Sequence, residues 1–457
     1  MRQNAYIAVV FFCSTYPTMI KRMLWLIAAL QTSTLGFAQG QDIEFTEFDL
    51  DNGLHVILHE DHSVPIVAVT VLYHVGSKDE DSTRTGFAHF FEHLLFEGSE
   101  NVARGEFDQY LEEAGATNNA NTSSDRTFYY EILPSNQLGL GLWLESERML
   151  HARVDSIGVE TQRQVVKEER RQRVDNQPYG SIFEEILKRA YQQHPYRWPT
   201  IGSMEHLEAA TDEDYVNFYK KFYVPNNATL SIAGDLNTEE TIALVKKYFG
   251  DIPRGQEVTH PQIQEPEQTA EIRDVVEDNI QLPAVVHAYK TPGIGSEDFY
   301  AVEMLTTLLS AGESSWLNQE VKNNEQKALA VGAFPLSLED DPSLSIAYAI
   351  ANAGVPPEEL ETAMNRQYQR AREELISERE FQKLRNQIES QFYQQNAEVA
   401  GVAENLADYH VYYGNTNLIN QEIDRYMAVT REDIQRVAKK YLVDRNRVTL
   451  YYVPKSS

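Results

Sequence analysis

The chain repeats itself. Thr211 to Gly234 reads TDEDYVNFYKKFYVPNNATLSIAG and Thr430 to Val453 reads TREDIQRVAKKYLVDRNRVTLYYV, keeping Thr, Asp, a Lys-Lys-aromatic cluster and Asn in one order once a single gap is allowed. A duplicated segment of this kind predicts two domains that share one topology. The 457 residues are also too many for one ordinary core. Residues 251–270, DIPRGQEVTHPQIQEPEQTA, hold three prolines and few large apolar side chains, and read as the linker. The expected division is a first domain over 39–250, the linker over 251–270 and a second domain over 271–457. In the first half, apolar strand-like runs in FTEFDLDNGLHVILHEDHSVPIVAVTVLYHVGS precede helical patterns, which is an α+β order. Beyond the linker LPAVVHAYKTP reads as strand, DFYAVEMLTTLLSA as helix, and residues 356–410 as helix-rich.

Chemistry concentrates in Gly86 to Gly98, GFAHFFEHLLFEG. On a helix His89 and His93 stand one turn apart on the same face and can reach one metal ion. Glu92 precedes His93 and can point at a ligand water. Two imidazoles favour Zn2+ over Ca2+ or Mg2+, and a catalytic zinc needs a third protein ligand and an open position. The flanking Phe90, Phe91, Leu94, Leu95 and Phe96 would hold the helix in a dry wall. The second half has no His-x-x-Glu-His, so metal chemistry is expected in the first half alone.

A formal charge of −29 argues against a general nucleic-acid binder. Residues 1–38 read as a secretory leader: MLWLIAALQTSTLGFA at 23–38 is an apolar run, preceded by Lys21 and Arg22 and ending in small residues. Met19 is a possible true start. The run is too short to favour a permanent membrane span. Cleavage after Ala38 would remove Cys13, the one cysteine, which rules out a thiol nucleophile or a cysteine metal site in the mature chain.

The remaining candidates are weaker. His55, His59, His62 and His74 show no tight ligand spacing and read as strand or loop histidines. Asn118 to Asp125 is turn-rich and Arg126 to Leu133 strand-like, and that strand would offer an edge to an extended peptide near Asn119 and Ala120. Glu168 and Glu169 both qualify as the missing oxygen ligand, and Gln162 shares a helix face with Glu169, two turns away, as a candidate to orient the site. The loop HPYRWPTIG, 194–202, is rigid and aromatic, with His194 as a structural residue.

Taken together, His89-Phe-Phe-Glu92-His93, Gly115-Ala-Thr-Asn-Asn-Ala-Asn-Thr, the Val165-Val-Lys-Glu-Glu169 helix, the 194–202 loop and Tyr223-Val-Pro-Asn-Asn-Ala-Thr-Leu resemble the M16 (pitrilysin or insulinase) zinc peptidases. The likeness is strongest to their short branch, which includes mitochondrial processing peptidase and bacterial relatives. The resemblance implies two homologous α+β domains, each a mainly antiparallel sheet packed against helices. It implies Zn2+ held by His89, His93 and, by the family's spacing, Glu169, with Glu92 as the base and Glu168 the runner-up ligand. Where the family usually has a glutamate, this chain has Gln162. Active relatives carry a substrate-holding arginine and tyrosine in the second half, and the nearest match places Lys322 and Val331 there. Lysine lacks the planar fork and valine has no hydroxyl, so a partner subunit supplying the Arg/Tyr pair is one expectation.

The reading is therefore a zinc-dependent endopeptidase acting on peptides or unfolded segments, with a non-catalytic binding or scaffold subunit of an M16-type complex as the alternative. Its expected location is the bacterial periplasm.

Overall fold

The computed structural model describes residues 42–455, and the expected leader, with Cys13 and Met19, lies outside them. Among the described residues no helix is long and apolar enough to cross a membrane. The first half contributes β1 (Thr46–Asp49), β2 (His55–Glu60), β3 (Ile66–Tyr73), β4 (Thr117–Thr122), β5 (Thr127–Pro134) and β6 (Ala228–Gly234), in one sheet of order β1-β2-β6-β3-β5-β4. Its helices are α1 (Phe87–Leu94), α2 (Glu106–Ala114), α3 (Leu138–His151), α4 (Ser156–Arg170), α5 (Ile182–Ala190), α6 (Met204–Ala209), α7 (Asp212–Phe222) and α8 (Thr238–Phe249). The second half contributes β7 (Ile272–Asp278), β8 (Ala284–Thr291), β9 (Ala328–Leu336), β10 (Ser343–Ala351) and β11 (Arg447–Pro454), in the order β7-β11-β8-β10-β9. Its helices are α9 (Phe299–Ser310), α10 (Pro357–Glu373), α11 (Glu378–Gln395), α12 (Val399–Tyr413), α13 (Glu422–Ala428) and α14 (Arg431–Tyr441).

The two sheets have one topology. In each, the first and last strands of a five-strand set pair in parallel, β2 with β6 and β7 with β11, and the other neighbours are antiparallel. Among the described residues, only the first sheet carries an additional edge strand, β1. The sequence repeat is the last helix and strand of each set. Thr211 opens α7 and Thr430 opens α14 with the same capping box, in which the threonine accepts from the backbone of Asp214 or Asp433 and that aspartate bonds back. Such a cap contributes about 1 kcal/mol to its helix.

The linker stretch is free of helix and strand, yet it is tied down. The Glu265 carboxylate accepts from the backbone N–H groups of Gln192, Gln193 and His194, at 2.7, 3.0 and 2.9 Å. His260 lies 2.8 Å from Asp79. The halves also exchange helices. Ile186, Leu187 and Ala190 of α5 are buried with Val286 and Ala288 of β8 and Leu450 and Tyr452 of β11, so a first-half helix covers the second sheet. Ala407 of α12 is buried with Leu72 and Phe128, so a second-half helix lies on the first. Each fully buried Ile or Leu contributes on the order of 1.5–3 kcal/mol, which makes this exchange a large part of what joins the halves.

Polar contacts reinforce it. Lys78, 2% exposed, reaches Asp125 at 3.0 Å in its own half and Glu339 and Asp340 at 2.5 and 3.2 Å in the other. The 194–202 loop is the shaped element its composition predicts. His194 is buried and structural, Tyr196 donates to Asp125 at 2.6 Å, and Trp198 donates to the Ser77 carbonyl at 2.8 Å.

One strand differs from expectation. Residues 117–122 form β4, with the turn confined to 123–126, and β4 rather than β5 is the sheet edge. Its asparagine-rich sequence has low strand propensity, but pairing along β5 from Thr117↔Ile132 to Thr122↔Thr127 overrides it.

Candidate metal centre

Helix α1 is short and two-faced. Phe87, Phe90 and Phe91 pack on an aromatic row from α7: Phe87 stacks on Tyr215 at 4.7 Å between centroids, and Phe91 lies 5.4 Å from Phe218. Tyr129 donates to the Phe91 carbonyl at 2.8 Å. At the other end, the buried Glu80 carboxylate accepts from the N–H groups of Gly86 and Ala88, both at 2.8 Å, and so fills the helix N-terminus. Gly86 has φ 94° and touches the 194–202 loop so closely that a Cβ would meet the Ile201 carbonyl oxygen at 2.8 Å. A larger residue there would push the helix off its seat.

With the aromatic face buried, the opposite face presents both histidines to the end of α4. His89 Nε2 and His93 Nε2 lie 3.4 and 3.2 Å from Glu169 Oε2. Three donors bound at about 2.0–2.1 Å at tetrahedral corners stand about 3.3 Å apart, so the spacing fits a zinc-sized ion. Glu169 Oε2 is buried and makes no hydrogen bond, while Oε1 is held by Arg173 at 2.6 Å. That division leaves one oxygen aimed at the two imidazoles. Burial, helped by neighbouring His93, pushes the His89 imidazole down to about 4, keeping it in the neutral form that ligates. The His93 imidazole holds the Glu169 carboxyl below its usual range, against the effect of burial.

Glu92 sits beside this set with one oxygen accepting from the Thr122 hydroxyl at 2.6 Å. Burial pushes its carboxyl up, and the Thr122 bond opposes that. His89, Glu92, His93 and Glu169 share a cleft of about 610 Å³ with Asn119 and Ala120 of β4. Because β4 is the sheet edge, its outer backbone groups have no partner strand.

The other candidates fall elsewhere. Glu168, the neighbour of Glu169, faces away: it pairs with Arg171 at 3.3 Å and accepts from Gln172 at 2.9 Å. Gln162 donates to Glu97 at 2.6 Å, and Glu97 also takes Arg104 at 2.6 Å, so the amide is committed to a buried carboxylate. Lys322 reaches Glu313 at 3.7 Å within the second half, and Val331 packs on that half's core; neither lines the metal cleft. Two contributors were not singled out from sequence, Arg173 and Thr122. Arg173 follows Glu169 at the one-turn spacing, in the π-helical turn 171–175, and Thr122 lies two residues beyond Ala120 on the same face of β4.

The duplicated fold and the His-His-Glu set with an adjacent glutamate define a class, and known protein families match the residues that carry both. The family described as Insulinase (Peptidase family M16) matches residues 55–203, and that described as Peptidase M16 inactive domain matches residues 209–388. The chain belongs to the M16 peptidase family. It is 32% identical to the zinc protease PqqE of Helicobacter pylori, over 95% of this chain and 99% of that protein. The crystal structure of a protease from Helicobacter pylori matches with a TM-score of 0.86 at 29% identity, covering 90% of this chain and all of that one. The periplasmic protease PqqL from Escherichia coli shares the fold, with a TM-score of 0.74 at 18% identity over 91% of this chain and 48% of that one.

Proposed function

We propose that the chain is a zinc-dependent endopeptidase that hydrolyses peptides or unfolded segments. The observation that carries the reading is the convergence of His89, His93 and Glu169 on one buried carboxylate oxygen, with Glu92 poised at their side. Zinc held by those three donors would act as a Lewis acid toward water and a peptide carbonyl, lowering the pKa of water to about 7. Glu92, anchored at Oε2 by Thr122, keeps Oε1 to take the proton of the attacking water and to return it to the departing amine nitrogen. An extended substrate adds as a strand beside β4, with Asn119 and Ala120 bringing its backbone past Glu92. Backbone pairing of this kind leaves side-chain preference broad.

The place of action is the periplasm, supported by the leader expected over 1–38 and by the description of the Escherichia coli neighbour as periplasmic. An M16-like partner supplies the substrate-holding arginine and tyrosine, a reading supported by Lys322 and Val331 standing in their places and lying off the cleft.

The test is Glu92→Gln in the mature chain, assayed alone and with its candidate partner. Peptide hydrolysis is expected to fall by about 10³-fold while bound zinc stays at the wild-type level. Full activity in that variant would remove Glu92 from the mechanism, and wild-type chain that neither binds zinc nor cleaves peptides under any pairing would remove the enzyme reading.

A further inference from the structure

We propose that Glu47, His55 and His410 form a second metal site, for a d-block divalent cation of the zinc type, which fastens the exchanged helix α12 to the outer edge of the first sheet. One ligand atom from each of the three residues lies within 4.8 Å of the others. None of the three belongs to the cleft of His89, His93 and Glu169.

The arrangement has the parts a metal site needs. His55 Nδ1 lies 2.7 Å from the Asp49 carboxylate, which fixes the ring and assigns the proton to that nitrogen. The lone pair is then on Nε2, which is buried, makes no hydrogen bond, and faces Glu47 Oε2 at 3.4 Å. That separation matches the spacing seen between the donors of the first centre. Two electron-rich atoms this close repel unless a proton or a metal ion lies between them, and the set of three ligand atoms favours the ion. Glu47 is itself positioned, because Thr416, buried just beyond α12, donates to its Oε2 at 2.5 Å.

The strand register explains how the set assembles. Asp49 pairs with His55 across β1 and β2, and Glu47 lies two residues along on the same face, so β1 delivers both carboxylates to one imidazole. β1 has no counterpart in the second sheet among the described residues. His410 comes from α12, the helix the second half lends to the first sheet, and its ring stacks on His55 with centroids 3.5 Å apart and planes 5° from parallel. Parallel planes so separated cannot both contain one ion. Ligation therefore turns His410 out of the stack, while His55 stays anchored by Asp49.

The experiment uses the mature chain carrying His89→Ala and His93→Ala, titrated with Co2+. The expected result is a visible absorption band of a His- and carboxylate-ligated ion that saturates at one equivalent, with a cobalt-dependent rise in Tm. Adding His55→Ala or His410→Ala should abolish both. Adding Glu47→Gln, at an exposed position where the amide oxygen still accepts from Thr416, should weaken cobalt binding at least tenfold with the circular dichroism unchanged. Absence of the band and of the Tm rise in the starting variant, as for a proton shared between His55 and Glu47, would overturn the proposal. So would cobalt binding that survives all three added substitutions, which would place the ion on other histidines.

Discussion

The two sheets of this molecule are the same construction put to different uses. In the first, the helix after the second strand of the shared set is α1, eight residues long, with aromatic packing on one side and His89, Glu92 and His93 on the other. In the second, the corresponding helix is α9, buried over most of its surface by Phe299, Val302, Met304, Leu305 and Leu309. Each helix keeps one glutamate bonded by a hydroxyl from the edge of its own sheet: Thr122 at the end of β4 donates to Glu92, and Ser337 just past β9 donates to Glu303. What separates the proposed metal centre from a packed core is thus the side chains on one helix face and a carboxylate delivered by α4. The frame is common to both. Glu169 is delivered just ahead of α5, the helix that crosses to the other sheet, so the proposed third ligand stands where the halves are joined.

The comparison can be broken at its strongest point by Glu169→Gln. Loss of the carboxylate should release zinc and reduce peptide hydrolysis by about 10³-fold or more, leaving the fold intact by circular dichroism. Metal content equal to wild type would return the assignment to another oxygen. Next in size is Lys78→Met at the junction of the halves. Removing the buried ammonium strands Asp125, Glu339 and Asp340 together, and should cost about 3 kcal/mol in denaturant unfolding. The melt should remain a single transition, because each sheet is capped by the other half's helix; two separate transitions would show that the halves are independent.

A smaller effect sharpens the contrast between the two glutamates. Burial pushes Glu303 up to about 7. Its folded pKa lies above the unfolded value, so the protonated group favours the fold, and this contribution is complete below about pH 4.3 and lost as pH rises through 7. Glu303→Gln should therefore be more stable than wild type at pH 8, by about 3 kcal/mol, and nearly equal at pH 4. A constant difference between the two pH values would remove the charge from the explanation. Smallest is Thr122→Val, which frees Glu92 Oε2. It should lower kcat about tenfold without loss of zinc, and an unchanged kcat would show that Thr122 does not position the base.

The features legible in the sequence are those written locally. The His-x-x-Glu-His helix, the repeated segments that begin at Thr211 and Thr430 and the proline-rich connection all rest on neighbours a few residues apart. Glu169 itself came from the family's spacing, because the charged helix offers no local reason to prefer it to Glu168; the structure separates them by helical phase, one turned to the histidines and the other to Arg171. β4 was hidden by its asparagines, since an edge strand beside a cleft is fixed by its pairing partner rather than by propensity. The helix exchange left no trace at all. Ile186 and Ala407 are ordinary apolar positions on amphipathic helices, and nothing near them in sequence says which sheet they cover. The same distance conceals the pairing of His55 with His410, which belong to opposite halves.

The position of the proposed zinc ion in the first half is what anomalous diffraction tests most directly. Anomalous diffraction at the zinc edge from crystals of the mature chain should place a peak about 2.0–2.2 Å from His89 Nε2, His93 Nε2 and a Glu169 oxygen, with Glu92 beside it but not bound. A zinc-replete crystal with no peak between α1 and α4, or with Glu169 turned away from the ion, would contradict it.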